Sequence, residues 1–265
     1  MFLSVMIPGS NYNEYMPYIY ATEDQNFSDY SSGRVLYSRP GAPAFPVRLA
    51  SEIFQRALHH LNPIQAVTIF DPTCGGAYYL TALGLLHGER IARILAADSD
   101  EQVLLLARRN LGLLSLPGIQ QREREIRDML QAYGKEAHAE ALASLERLRL
   151  RIASRPAAKP IETRVFAANA LDAGALTAEL SAETIQLVLC DIPYGQQSSW
   201  DLPADNPAQG SSPVWRLLEA LRSVLSPAAV VAIAADKAQK PAHSAYQRLE
   251  RFQVGKRQVN LLRVL

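Results

Sequence analysis

The sequence predicts an α/β fold, in which helices pack on a mostly parallel, Rossmann-like sheet. Short apolar runs rich in β-branched residues alternate with longer segments of helical periodicity, which is the pattern of parallel strands joined by crossover helices. Three apolar runs, 67–70, 91–97 and 184–190, end directly before an aspartate, and two glycines follow the first of them. Because ligands bind at the carboxyl ends of the strands in open α/β sheets, these aspartates indicate a ligand site at that edge.

Composition sets the outer bounds. A chain of 265 residues with 48% hydrophobic residues can bury one large core, so we expect one elaborated α/β domain rather than two independent domains. The net charge of +1 provides no global attraction for nucleic acid, and any RNA-binding surface must be local. Cys74 and Cys190 lie in different motifs without metal-type spacing, and no apolar run could cross a membrane. We therefore expect a cytoplasmic protein with reduced thiols and no bound metal.

The loop after the first predicted strand suggests the charge of the ligand. Gly75 and Gly76 allow a tight turn and a close backbone approach, but the G-x-G-x-x-G spacing of a dinucleotide site is absent. The loop instead opens with the carboxylate of Asp71. A carboxylate suits a ligand that has cationic groups and no phosphate, such as S-adenosyl-L-methionine (SAM), which carries a sulfonium and an ammonium group. The alternative is a tight turn in which Asp71 caps the following helix.

Asp98 ends the second predicted strand. It follows Asp71 at about the 20 to 30 residues typical of the carboxylate that binds ribose hydroxyls in a mononucleotide-binding unit. The alternative is that Asp98 caps a helix, but Ser99 or Asp100 already suits that position. We therefore predict a ribose contact for Asp98.

The remaining segments continue the alternation of strands and helices, with one inserted segment. We predict a helix after Pro46, a helix at 100–116 stopped by Pro117-Gly118, and an inserted hairpin of two amphipathic helices at about 119–156. The arginines at the end of the insert form either a solvated face or an RNA phosphate contact: Arg147, Arg149, Arg151 and Arg155. Further strands are predicted at 164–168, ending before Asn169, at 184–190 and at 229–235, helices at 171–180 and 213–225, and two strands in 252–264 that add an antiparallel edge.

The second chemical motif is Asp191-Ile192-Pro193-Tyr194, which matches the (D/N)-x-P-Y loop of amino-methyltransferases. An aromatic amine is a poor nucleophile because its lone pair is delocalised into the ring. If Asp191 and the carbonyl group of Ile192 accept its two N–H bonds, the lone pair can point at the SAM methyl group. Tyr194 would stack on the base. The alternative is a proline turn with a buried tyrosine.

Several stretches of the chain together resemble a known family, the avilamycin-resistance rRNA guanine-N2 methyltransferases (AviRa-type). The stretches that carry the resemblance are 38–41, 43–57, Asp71-Pro72, Cys74-Gly75, 83–87 and 191–195. It runs from about Tyr37 to the C-terminus and leaves 1–36 outside as an irregular extension without a functional account. It implies a class I SAM methyltransferase domain at 37–265, with a mostly parallel seven-stranded sheet and an antiparallel edge strand. The implied substrate is the exocyclic N2 amine of a guanosine in large-subunit (23S) rRNA, and the implied role is resistance to avilamycin-type antibiotics.

Two positions depart from the family pattern. Ala77 stands where a third glycine is usual, which matters only if the backbone there needs a positive φ. Asn169 stands where an aspartate commonly receives the adenine amino group, although its side-chain oxygen can still accept.

The predicted site therefore has three parts. The catalytic residues are Asp191, Pro193 and Tyr194; the SAM-binding residues are Asp71, Cys74, Gly75, Gly76, Asp98, Asn169 and Asp191; and the RNA phosphate contacts are Arg39, Arg48, Lys237, Lys240, Lys256 and Arg257. A monomer is expected. Two other hypotheses stay open: an amino-methyltransferase of the same fold that acts on DNA adenine, tRNA or protein glutamine, and an RNA-binding module without catalysis.

Overall fold

A computed structural model contains the predicted seven-stranded sheet. It describes residues 18–23, 25–39, 41, 44–61, 65–154, 160–180, 185–192, 200 and 212–265. The strands are β1 (Val67–Asp71), β2 (Ile91–Asp98), β3 (Glu162–Ala167), β4 (Ile185–Asp191), β5 (Leu225–Asp236), β6 (Tyr246–Val254) and β7 (Arg257–Val264). Their order is β3-β2-β1-β4-β5-β7-β6. The first five strands are parallel, and β7 runs antiparallel between β5 and the edge strand β6. The class I methyltransferase architecture expected from the sequence is confirmed.

The helices cover both faces of this sheet. They are α1 (Val47–His60), α2 (Tyr78–Leu86), α3 (Glu101–Gly112), α4 (Leu116–Tyr133), α5 (Glu136–Ala153), α6 (Ala173–Glu179) and α7 (Pro213–Leu221). Successive residues of a strand point to opposite faces, so Leu187 and Leu189 pack with α1 to α5 while Val188 packs with α6 and α7. The central strands are therefore mostly apolar, with Thr68 in β1 and Gln186 in β4 as exceptions before the terminal aspartates.

Two predicted helix ends were wrong. Pro117 does not stop a helix: α3 ends at Gly112, and Pro117 lies in the first turn of α4, where a missing N–H costs nothing. Ser115 caps α4 by accepting a hydrogen bond from Gly118 N at 3.2 Å. A Cβ atom at Gly118 would lie 1.9 Å from the carbonyl oxygen of Gly112, so this glycine serves a close backbone approach. The helix predicted at 213–225 ends at Leu221, because the chain turns there into β5.

The inserted helical hairpin is confirmed as α4 and α5. Gly134, in the left-handed region with φ 59°, ends α4. The hairpin packs against the segment before α1: Arg122 donates to the carbonyl oxygen of Val35 at 2.8 Å, and Val35 and Leu36 are fully buried. Among the residues that the structure describes, no helix is both long and apolar enough to cross a membrane.

The described part of the N-terminal segment, from residue 18 onward, has only one short 3-10 turn, at Ser28–Tyr30, and a buried carboxylate holds it in place. Glu52 of α1 is fully buried and accepts hydrogen bonds from the backbone N–H groups of Ile19, Tyr20 and Ala21 at 2.8, 2.9 and 2.8 Å. Arg56 donates to the same carboxylate at 2.6 Å. These bonds lower the pKa of Glu52 despite its burial, so the ionised form is favoured.

Candidate active site

The three aspartates meet at one edge of the sheet, as predicted. Because β2, β1 and β4 are neighbours, Asp98, Asp71 and Asp191 end three adjacent parallel strands. The site therefore lies where the neighbouring strands β1 and β4 end, which is the usual ligand position in this architecture.

Asp71 has a structural position. Its side chain is fully buried: Oδ1 accepts from Thr73 N at 2.9 Å, and Oδ2 lies 2.6 Å from the hydroxyl of Tyr79. Burial raises the pKa of Asp71 to about 7. It caps a turn at Thr73 rather than a helix, since α2 has Ala77 at its N-cap and no side-chain cap. In this conformation Asp71 shapes the loop and presents no surface to a ligand; a direct SAM contact stays a prediction.

The glycine loop leaves open space on its ligand side. Gly75 has φ 50°, and nothing lies within 4 Å of the position that its Cβ would occupy. Ala77 has φ 52°, so the position where a third glycine is usual does require the left-handed conformation. An alanine there is strained by roughly 1–2 kcal/mol. At Gly76, a Cβ atom would lie 2.8 Å from a methyl carbon of Leu106, so this glycine brings the loop close to α3.

Asp98 joins the second strand to this loop. Its Oδ2 accepts from Gly75 N at 2.8 Å, and its Oδ1 accepts from Asp100 N at 3.0 Å. Capping of α3 belongs to Asp100, which accepts from Gln102 N at 2.9 Å, so Asp98 is not the cap. Asp98 is half-buried, and burial raises its pKa. Its carboxylate retains lone pairs at a partly open position, and the ribose contact stays a prediction.

The other predicted SAM ligands differ in accessibility. Cys74 is buried, its thiol donates to Gly75 O at 3.3 Å, and burial raises its pKa well above the ordinary value, so it is a packing residue of the loop. Asn169 follows β3 and is half-buried, with Oδ1 accepting from Leu171 N at 2.9 Å. Both contacts with SAM stay predictions. No three His, Cys, Asp or Glu side chains of the described ranges are grouped to hold a metal ion.

Asp191 differs from Asp71 and Asp98 in the hydrogen bonding of its carboxylate. Its Oδ1 is buried and has no hydrogen-bond partner among the described residues, while Nε of Arg257 lies 3.9 Å away. Burial raises the pKa of Asp191 to about 6, against the opposing effect of the Arg257 charge. An apolar cavity adjoins it, lined by Phe45, Ala50, Ile53, Tyr79, Leu189, Cys190, Ala232 and Ala234. Pro193 and Tyr194 lie outside the described residues.

Two aromatic side chains of this cavity were not predicted as site residues. The rings of Phe45 and Tyr79 are 5.3 Å apart, and the guanidinium group of Arg257 lies 5.1 Å above the Phe45 ring. Phe45 directly precedes Pro46, the N-cap of α1, so the start of that helix delivers it to the site. The proline-bounded start of the helix is the sequence signal that could have identified Phe45.

Three of the predicted RNA contacts lie at the carboxyl edge. Lys237 follows β5, Lys256 lies in the turn before β7, and both are exposed. Arg257 pairs in register with Asp236, the last residue of β5, and is therefore at the same edge. Lys240 is exposed a few residues beyond Lys237. These positions are compatible with RNA phosphates approaching the site.

The other arginines considered for RNA contact come earlier in the chain, and most of them are already engaged in other interactions. Arg48 donates to the carbonyl oxygens of Ala21 and Thr22, both at 2.9 Å, and so holds the N-terminal segment. Arg39 is exposed, 3.9 Å from Asp100. In the insert, arginines form ion pairs, Arg147 with Asp29 at 2.5 Å and Arg149 with Glu146 at 2.6 Å, whereas Arg151 is exposed and Arg155 lies outside the described residues. The insert is therefore less available to phosphates than its arginine content suggested.

Comparisons with known proteins agree with this architecture. The family described as rRNA methyltransferase AviRa matches residues 16–257. A relative named 23S rRNA (guanine(2535)-N(1))-methyltransferase, from Streptomyces viridochromogenes, is 42% identical over 246 residues, which are 93% of this chain and 95% of the relative. Two solved structures of rRNA methyltransferase aviRa from the same organism, at 2.4 Å and 1.5 Å, have a TM-score of 0.81 each, with 40% and 39% identity, and cover 93% of this chain and 96% of theirs.

The comparisons correct one prediction and support the assignment of SAM as the cofactor. The expectation that 1–36 lies outside the resemblance was wrong for residues 16–36, which belong to the matched range. SAM is the cofactor, and the site fits it: the backbone at Gly75 is open on one side and Asp98 is partly exposed beside it. The extent of the match and the shared fold together place this chain in the AviRa family of rRNA methyltransferases.

Proposed function

We propose that this protein methylates N1 of a guanosine in 23S rRNA, with Asp191 as the group that receives the N1 proton. The observation that carries the proposal is the buried Oδ1 of Asp191, which has no hydrogen-bond partner among the described residues at the edge where the strands end. The name of the relative from S. viridochromogenes supports guanine N1 as the acceptor.

Methylation of guanine N1 requires a base. Guanine N1 carries a proton and becomes a good nucleophile only as that proton leaves. A carboxylate whose pKa is raised by burial to about 6 accepts a proton more readily than an ordinary aspartate, and it is still ionised at neutral pH. Bound SAM supplies an electrophilic methyl group. Asp191 would hold the N1–H group, take its proton, and leave the N1 lone pair in the plane of the base.

The exocyclic N2 amine is the second candidate acceptor. The sequence Asp191-Ile192-Pro193-Tyr194 is typical of amino-methyltransferases, which favours an exocyclic amine. N1–H and N2–H are neighbouring donors on one edge of guanine, so one carboxylate could accept from both. The acceptor atom therefore requires a direct product analysis.

The test is methyl transfer from radiolabelled SAM to unmodified 23S rRNA, tRNA and DNA, followed by nucleoside analysis. We expect 1-methylguanosine from 23S rRNA alone. N2-methylguanosine would select the second candidate, and a labelled product only in tRNA or DNA would contradict the proposed substrate. Asp191→Asn should lower the single-turnover rate about a hundredfold to a thousandfold, because the amide oxygen of asparagine can still accept a hydrogen bond but cannot take the N1 proton. Asp172→Asn, at an exposed N-cap of α6, is the matched control and should react at the wild-type rate.

Antibiotic resistance follows as a separate proposal. If the modified guanosine lies where an avilamycin-type drug contacts the large subunit, a host that expresses the active enzyme should grow at higher drug concentrations than a host with Asp191→Asn. Equal inhibitory concentrations, with methylated rRNA in the first host, would mean that the methyl group has another purpose.

A further inference from the structure

The guanidinium group beside Asp191 suggests a second function for Arg257. Arg257 is the first residue of β7 and pairs in register with Asp236, which places it two strands from Asp191 at the same sheet edge. It is half-buried, its Nε atom lies 3.9 Å from Asp191 Oδ1, and its Cζ atom lies 5.1 Å from the centre of the Phe45 ring. A side chain that only met phosphates would not need to lie against the carboxylate and an aromatic ring.

The carboxylate and the guanidinium together match one edge of guanine. That edge presents an acceptor, O6, next to two donors, N1–H and N2–H. Resting on the function proposed above, we propose that Arg257 is a specificity-determining residue that donates a hydrogen bond to O6 of the target guanine while Asp191 accepts from N1–H and N2–H.

The same pair disfavours the other purine. Adenine has an amino donor where guanine has O6, and a lone pair at N1 where guanine has a proton. Arg257 would then face a donor, and Asp191 would face an acceptor. Because a site built for hydrogen bonds strongly rejects a ligand that leaves its buried polar groups unpaired, adenine should be excluded.

Charge development gives Arg257 a further effect on the reaction. Removal of the N1 proton makes Asp191 neutral and spreads a negative charge from N1 onto O6. The negative charge therefore moves from Asp191 to the base. Arg257 lies next to this charge both before and after the proton transfer. A preorganised donor at an atom where charge develops stabilises the transition state. The Phe45 ring below the guanidinium supports this orientation.

The test compares two proteins and two substrates in single-turnover methylation. The substrates are synthetic RNA fragments that span the mapped nucleotide, with either guanosine or 6-thioguanosine at that position, since sulfur is a weaker hydrogen-bond acceptor than oxygen. The proteins are the wild type and Arg257→Ala. We expect the arginine substitution to slow methylation of guanosine by about ten- to a hundredfold, as for a lost hydrogen bond to a charged group. It should slow methylation of 6-thioguanosine much less, because the contact with O6 is already weakened.

Equal fold-changes for the two substrates would overturn the proposal, since the arginine would then act without contacting O6. Effects of sulfur on the intrinsic reactivity of the base cancel in this comparison. Arg248→Ala, an exposed arginine of β6, is the matched control and should leave both rates unchanged. If Arg257→Ala fails to fold by circular dichroism, Arg257→Met, which keeps an apolar stem but has no hydrogen-bond donor, replaces it in the same four-way comparison. A wild-type protein that makes no methylguanosine would refute the proposed function itself, which separates the two failures.

Discussion

Replacing Asp71 by asparagine should make the protein more stable at neutral pH, although Asp71 opens the predicted SAM loop. The hydroxyl of Tyr79 lies 2.6 Å from Asp71 Oδ2 and 2.6 Å from the carbonyl oxygen of Leu189. One hydroxyl proton cannot serve both acceptors fully. A protonated Asp71, or an asparagine, can donate to Tyr79 while Tyr79 donates to Leu189, and the other side-chain oxygen still accepts from Thr73.

The pKa of Asp71 determines the expected size of this gain in stability. Burial raises it from 3.8 to about 7. At about 1.4 kcal/mol for each pH unit, this difference corresponds to about 4 kcal/mol. The folded pKa is above the unfolded one, so the stabilisation by the bound proton is complete below about pH 4 and is lost as the pH rises through about 7. Asparagine does not titrate, so the variant should keep its stability over this range.

Urea unfolding of both proteins at about pH 5 and about pH 8 measures this difference. The free energy of unfolding of Asp71→Asn, relative to wild type, should increase by about 3 kcal/mol between the two conditions, since about two of the pH units below 7 lie in that window. Asp172→Asn, an exposed carboxylate on the other side of the sheet, should follow the wild type at both pH values. Parallel behaviour of Asp71→Asn and wild type would refute the idea that an ionised Asp71 is costly in the fold.

Three further predictions concern SAM, RNA and the reaction. Asp98→Ala should weaken SAM binding by about 1.5 to 3 kcal/mol in calorimetry, the loss expected for a hydrogen bond to a charged group; an unchanged affinity would remove Asp98 from the site. Neutralising Lys237 and Lys240 together should weaken RNA binding and reduce its salt slope by about one to two phosphate contacts, and an unaltered slope would mean that RNA enters elsewhere. The single-turnover rate should rise with pH through about 6 and then level off, because only ionised Asp191 can accept a proton, whereas a flat profile from about pH 5 to about pH 7 would contradict its role as the base.

The sequence by itself determined the parallel sheet and the edge at which its ligands bind. The apolar pattern of a strand and the aspartate at its end are local features that can be recognised in the sequence. Because the ends of parallel strands share one edge of the sheet, these aspartates are expected at that edge. Asp98 and Asp191 were therefore predictable as edge carboxylates. The inserted hairpin was predictable for the same reason, since amphipathic helices carry their periodicity in sequence. Pro117 was misinterpreted because proline both ends one helix and begins the next.

Only the tertiary structure decided which of the edge side chains are enclosed by the fold and which stay partly exposed at the site. Asp71 is fully buried beside the hydroxyl of Tyr79, which also contacts the carbonyl oxygen of Leu189 on a different strand. Phe45, Asp191 and Arg257 come from the start of the first helix, the fourth strand and the last strand, and no sequence pattern links positions so far apart. Long-range packing alone brings their side chains together, so the surroundings that raise the pKa of Asp191 and place a guanidinium beside it exist only in the folded chain.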